Sequence, residues 1–317
     1  MPQPPRDVFD QLLKDARITG PRLEELVNRA LDVHYWRTLS PDLHVEAAAP
    51  IEFADVAGAA IDESARALRD RGYFHLAGVI APSGLRRLNA AVDDVTRAGW
   101  PASFVFMYDE AWHAARSPAV RRLLGDLLGP GVLQIRHVWA HVVEPVAGAS
   151  GWSPHVDGDG RGRMTVWMAL SDATLENGCM HVVPRDVTAA LPGLIERFGT
   201  NHSRFSRAEV VSLLHGTHAL VAAPGDALGW GFDVIHWGGV ARRAGQARRS
   251  LSFEYIAANE RPTDKDGPVS SMDVLPPFAD RLRSVATAVT AYRKFEPLVD
   301  RFADVAREII ARLSRLS

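Results

Sequence analysis

Apolar positions recur at helical spacing near both ends of the chain and at strand spacing in its middle. Leu23, Leu26, Val27, Ala30 and Leu31 share one helical face, so residues 5–37 are predicted as two helices broken at Thr19-Gly20-Pro21. Residues 38–60 are Pro- and Ala-rich without a period and are expected to wrap the fold. A short helix from Glu63 to Arg71 leads into a strand at 72–80, and Pro82-Ser83 starts a helix whose apolar side is Leu85, Leu88, Val92 and Val95. Residues 118–129 form another amphipathic helix, stopped by Gly129-Pro130. From about 277 onward the chain is helical again. Leu298, Phe302, Val305, Ile309 and Leu313 form a stripe at spacings of 4, 3, 4 and 4. Burying five such side chains contributes roughly 10 kcal/mol as an upper value, so the stripe must pack on the sheet or on a second copy, as in a homodimer.

Between these ends lie strands: Val132 to Val143, Arg163 to Ser171, Cys179 to Val183, 218–222, 226–232 and Arg248 to Ala257. In Arg163 to Ser171, Thr165, Trp167 and Ala169 face one way and Met164, Val166, Met168 and Leu170 the other. Many short strands with helices at both ends predict a β-barrel or sandwich in a helical jacket. One domain over 1–317 is expected: a helical wrap at 1–60, a β core at 70–258 and C-terminal helices at 277–317. Segments 101–116 and 186–217 are expected as lids that decide the substrate.

Composition narrows the class. The formal charge of −2 lacks the basic footprint of a nucleic-acid binder. Cys179 is the only cysteine, which excludes an intrachain disulfide and a cysteine-rich metal site and fits a reducing, cytoplasmic setting. No apolar run approaches membrane-spanning length.

The chemistry concentrates in WSPHVDGDGRGRMTVWMALSD, residues 152–172. In extended chain His155 and Asp157 lie on one side, aimed at one point. His236, at the end of the strand-like stretch GDALGWGFDVIH, is the best third partner. Two imidazoles and one carboxylate on one face, with positions left open, is the ligand set of a non-haem Fe(II) oxygenase. His44-Val45-Glu46 repeats the pattern in an aperiodic segment with no matching later histidine. His137 and His141 share one strand face and read as packed or edge residues, and His215 and His218 as surface residues near a turn. Trp139, Trp167 and Trp230 default to core packing, and Asp159, Arg161 and Arg163 to a solvated loop.

Four blocks in order, WSPHVD, MTVWMALSDATLENGCMHVVP, GDALGWGFDVIHWGG and RRSLSFEY, resemble the phytanoyl-CoA dioxygenase family of Fe(II)- and 2-oxoglutarate-dependent oxygenases. GYFHLAGVIAPSGLRRLNAAV is similar to the family's opening strand and helix. The resemblance covers about 70–258. It implies a mainly β fold, a double-stranded β-helix (jelly-roll) core with flanking helices, and His155, Asp157 and His236 as catalytic iron ligands. It also implies an arginine for the distal carboxylate of 2-oxoglutarate. Arg248 is preferred because it shares a strand face with Ser250 and Ser252, with Arg249 the alternative by one position. Ser250, Thr165 and Trp167 match positions lining the cosubstrate pocket. With O2 as second cosubstrate, the implied reaction is hydroxylation of a small molecule with release of succinate and CO2. Asp157 argues against the halogenating relatives, which carry a small residue there.

Two departures bear on substrate. Trp237-Gly238-Gly239-Val240-Ala241 replaces the family's frequent Gly-Ser-Gly and later Asn, and Val183-Pro184-Arg185-Asp186 replaces its Pro-Gly-Ser-His. Trp152 and Trp237 are therefore expected as walls of the substrate pocket. Two other readings stay open: a jelly-roll metalloenzyme without 2-oxoglutarate, which has no need of Arg248, and an inert jelly-roll that binds a ligand or partner.

Overall fold

The structure is a computed structural model that describes residues 17–47, 51–158, 162–191, 193–195, 205–262, 269–293 and 296–316. The first part of the predicted N-terminal helix pair, Asp159 and Arg161, and residues 196–204 of the predicted lid lie outside these residues. Helix α1 (Gly20–Leu31) starts at the predicted break, with Pro21 in its first turn, where a missing N–H costs nothing. Helix α2 (Val33–Leu39) follows after Asp32, whose carboxylate accepts the His34 amide. Helix α3 (Gly58–Arg71) ends at Gly72, whose φ of 85° makes a left-handed cap and turns the chain into β1 (Tyr73–Leu76). Then come α4 (Pro82–Arg97), a 3-10 segment at Ala102–Met107, α5 (Asp109–Ala114) and α6 (Pro118–Leu128).

The sheet-forming part comprises β2 (Leu133–Val143), β3 (Arg163–Ala169), β4 (Met180–Val182), α7 (Arg185–Ala189), α8 (Arg207–Gly216), β5 (His218–Leu220), β6 (Ala227–Gly231), β7 (His236–Gly238), β8 (Arg248–Ile256) and β9 (Val269–Ser271). Helices α9 (Phe278–Tyr292), α10 (Pro297–Asp300) and α11 (Ala303–Leu316) close the described chain. The strands form two antiparallel sheets, β1-β6-β3-β8-β2-β9 and β5-β4-β7. The bridge His155↔His236 ties the loop after β2 to β7.

Strand parity sorts the large sheet into two faces. On β8, Leu251, Phe253 and Tyr255 join the main hydrophobic core with Met164, Val166 and Met168 of β3 and the apolar sides of the helices. Their neighbours Arg248, Ser250, Ser252 and Glu254 line a cavity on the other face. A slip of one residue in pairing would exchange the two sets, so burial of the apolar one fixes the orientation of the polar one.

Three expectations are corrected. Helical residues outnumber strand residues, so the chain is a mixed fold around a β core, not a mainly β one. The block 102–114 adds two short helical segments that were not expected. It is no lid, because Ser103 to Trp112 is continuously buried, and Trp36 and Trp100 pack ring on ring with its Phe104. A segment buried on all sides shows no amphipathic period. The C-terminal stripe is covered within the chain: Phe302, Val305, Ile309 and Leu313 are buried in the main core, with α11 packed on α9 and α1. Among the described residues this side of α11 is thus covered by the chain's own helices, where the sheet or a second copy was expected; the side chain of Leu298 lies outside them.

The N-terminal wrap is fastened by charge. Asp109 accepts the amides of Glu46 and Ala47, both at 2.9 Å, and pairs with the buried Arg281 of α9. Glu46 holds φ 58°, and its carboxylate accepts the Phe278 amide at the start of α9. His44 pairs with Glu110 at 2.7 Å. The second His-x-Glu match is therefore a clasp between chain ends.

Candidate metal centre

His155 sits in the loop after β2, Asp157 two residues on, and His236 at the start of β7. Their ligand atoms all lie within 4.8 Å of one another, and among the described residues no other His, Cys, Asp or Glu trio does this. Asp157 Oδ1 is 3.5 Å from His236 Nε2 and 3.7 Å from His155 Nε2. Donors bound at about 2.0–2.2 Å to one cation can be at most about 4.4 Å apart, so these separations suit a shared ion.

Each ligand is aimed by a further contact. The Nδ1 atoms of His155 and His236 face the carbonyls of Ser153 and Val234, at 2.7 and 3.0 Å. A carbonyl only accepts, so each Nδ1 carries the proton and each Nε2 keeps its lone pair for a metal. Asp157 Oδ2 accepts from Thr165 Oγ1 at 2.6 Å and from Trp230 Nε1 at 3.0 Å, which leaves Oδ1 free to face a metal beside the two Nε2 atoms. Burial pulls the His236 pKa down to about 4, against the pull of Asp157, and keeps the ring in the neutral form that can bind a metal.

The trio lies in the wall of a cavity of about 920 Å³, near the upper end for small-molecule sites. Trp152, Thr165, Trp167, Arg248 and Ser250 all line it. Arg248 is 1% exposed, and among the described residues no carboxylate lies within ion-pair distance. One guanidinium nitrogen reaches Met180 Sδ at 3.2 Å, and Nε is buried without a hydrogen-bond partner. Burial lowers its pKa to about 10, which leaves it charged. The group rests on two facing glycines: a Cβ on Gly151 would meet Arg248 Nη2 and the Gly238 Cα, both at 2.7 Å. An unpaired buried guanidinium on a bare backbone shelf fits an incoming carboxylate. Arg249 points the other way, to Asp93 at 2.5 Å and Asn89 at 3.4 Å.

Trp237 does not join the site. It follows His236 on β7, so its side chain leaves by the opposite face, where it stacks on His181 with ring centroids 5.3 Å apart. Other cavity residues read differently in the sequence. His137, His141, Trp139, Trp230 and Arg163, assigned to packing, edges or solvent, all line the cavity, as do Glu254 and Tyr292. Parity on β2 and β8 could have flagged His141 and Glu254. Tyr292 comes from the last turn of α9, and no local pattern marks it.

These features are those of a non-haem Fe(II)- and 2-oxoglutarate-dependent oxygenase. The sequence profile of the phytanoyl-CoA dioxygenase (PhyH) family matches residues 68–250, more than half of the chain, and the chain belongs to that family. No curated protein sequence matches it closely. Among solved structures it is similar to the α-ketoglutarate-dependent epimerase SnoN of nogalamycin biosynthesis, with a TM-score of 0.53 and 20% identity over 67% of this chain and 88% of that one. A second SnoN structure, in complex with Fe3+, α-ketoglutarate and nogalamycin RO, gives 0.52 and 21% over 69% and 91%. The non-heme monooxygenase ThoJ gives 0.53 and 16% over 80% and 99%. At these identities the likeness establishes the fold, a jelly-roll core.

Proposed function

We propose that this chain hydroxylates an unactivated C–H bond of a small specialised metabolite, with 2-oxoglutarate and O2 as cosubstrates and succinate and CO2 as coproducts. The observation that carries the reading is one cavity wall holding both an aimed His-Asp-His trio and an unpaired, buried Arg248. His155, Asp157 and His236 would hold Fe(II). Arg248, with Ser250 beside it on the same strand face, would hold the distal carboxylate of 2-oxoglutarate. Iron bound there supplies the power to activate O2 for attack on a C–H bond.

The chain's own residues provide placement. The Ser153 and Val234 carbonyls fix both imidazole tautomers, and Thr165 and Trp230 keep Asp157 from turning away. Arg248 gives a planar, charge-assisted grip that sets which end of the keto acid faces the trio. Arg248 also favours this reading over a metalloenzyme that makes no use of 2-oxoglutarate, where a buried unpaired cation would be pure cost. SnoN is described as an α-ketoglutarate-dependent epimerase, and inversion of a stereocentre without a gain of oxygen is the alternative outcome to test for.

Anaerobic Fe(II) added with 2-oxoglutarate should produce a weak visible charge-transfer band that is lost in His236→Ala and Arg248→Ala. Under O2 the wild type should release succinate, and candidate metabolites should couple that release to the mass gain of one oxygen atom. Absence of the band in metal-loaded wild type would rule out 2-oxoglutarate as a ligand.

A further inference from the structure

The inward row of β8 runs Arg248, Ser250, Ser252, Glu254. Six residues of strand span about 20 Å, too far for one small diacid to touch both ends. Glu254 pairs in register with Thr165, the residue that holds Asp157, so it stands by the metal trio at the end away from Arg248. Its partners are distant: Tyr292 OH at 3.3 Å and His137 Nδ1 at 3.5 Å. Glu254 and His137 each keep nearly a fifth of the side chain open, at 17% and 18% exposure.

Glu296, a further carboxylate at this wall, is already committed. One of its oxygens accepts Trp139 Nε1 at 2.8 Å and Trp152 Nε1 at 3.2 Å. That bond fixes an aromatic wall beside Glu254, in which Trp139 and Trp152 each contact the Tyr292 ring, at centroid distances of 5.1 and 4.7 Å.

Resting on the function proposed above, we infer that this end of the cavity binds the basic amine of the substrate, with its ammonium against Glu254 and the faces of Tyr292 and Trp139. Arg163 and Arg261 also line the cavity, and neither lies within ion-pair distance of Glu254. Burial raises the Glu254 pKa above the usual carboxylate value, so a cation placed against it favours the ionised form, where a neutral hydroxyl would only hydrogen-bond. Aromatic faces add attraction for an ammonium group and little for its neutral analogue.

The test uses protein loaded with redox-inert Ni(II) and 2-oxoglutarate, with both contents measured first. Three probes of one shape are titrated by calorimetry: 2-phenylethylamine, 2-phenylethanol and 3-phenylpropionate. The amine is expected to bind at least tenfold tighter than either analogue. Glu254→Gln, which keeps the shape and removes a buried charge, should erase that preference while retaining metal and keto acid. Loaded wild type that binds the three alike or binds none overturns the inference alone, as does a preference that survives in Glu254→Gln. Protein that takes up no Ni(II) or no 2-oxoglutarate overturns the functional reading and this inference together.

Discussion

Thr165 donates its hydroxyl to Asp157 Oδ2 at 2.6 Å, from the strand that pairs with both β6 and β8. The carboxylate orientation of the metal trio is thus set by the sheet and not by the loop that carries it. Thr165→Val keeps the shape and removes the donor, leaving Trp230 alone to hold Oδ2. Fe(II) affinity should fall about 10–100-fold, as is usual when a partner of a metal ligand is lost. Anaerobic titration monitored by metal content checks this; unchanged affinity would make the contact incidental.

The two neighbouring arginines should separate cleanly. Arg248→Ala is expected to raise the 2-oxoglutarate requirement at least tenfold, since a charge-assisted hydrogen bond contributes about 1.5–3 kcal/mol. Arg249→Ala breaks the partly exposed pair with Asp93 and the long bond to Asn89 and should leave that requirement within about twofold, with a stability loss of about 1 kcal/mol or less. The reverse ranking in succinate-release kinetics would show that the strand face has been misassigned.

Gly151 and Gly238 make a sharper test of the same shelf. A methyl group on either would fall within 2.8 Å of the guanidinium and of the opposing glycine backbone. Gly151→Ala should therefore weaken 2-oxoglutarate binding at least tenfold while Fe(II) binding stays close to wild type. Equal losses of both ligands would mean that the loop itself had collapsed.

Glu296 links the aromatic wall to pH. Burial raises its carboxyl to about 7, against a reference of 4.5 and despite the two indole donors. A carboxyl raised on folding contributes stability below its unfolded pKa, and that contribution is lost as pH rises through about 7. Glu296→Gln still accepts the indole N–H groups and never ionises. It should exceed wild type by about 1–3 kcal/mol at pH 8, and the gap should shrink to below about 1 kcal/mol by pH 5. Denaturant unfolding at the two pH values measures it; a gap that widens toward acid would reverse the assigned sign.

Local geometry made the trio legible. His155 and Asp157 are two residues apart in extended chain, and the choice of Arg248 over Arg249 follows from the same alternation. Applied to His236, that rule also turns Trp237 outward, which the focus on sequence proximity to the metal ligand concealed. The contacts of Thr165 and Trp230 with Asp157 arise from pairing across strands distant in sequence, and Tyr292 reaches the cavity from a helix. No periodicity encodes such meetings. Periodicity also failed at 102–114, where burial on every side erases the contrast between faces. Along α11 it marked the apolar side correctly but could not say that α9 and α1 cover it.

Arg281, fully buried on α9, bonds the carbonyls of Met107 and Pro276 as well as Asp109, and Asp109 in turn grips the backbone at 46–47. One guanidinium thereby joins three stretches from the start, middle and end of the chain. Trimming the protein to the 68–250 stretch recognised by its family profile would remove two of the three. The cut would also take most of β8 (Arg248–Ile256) out of the sheet, and Asp109 would be a buried anion without its cation. The catalytic barrel and its helical jacket should therefore melt as one cooperative body, with no separable minimal core.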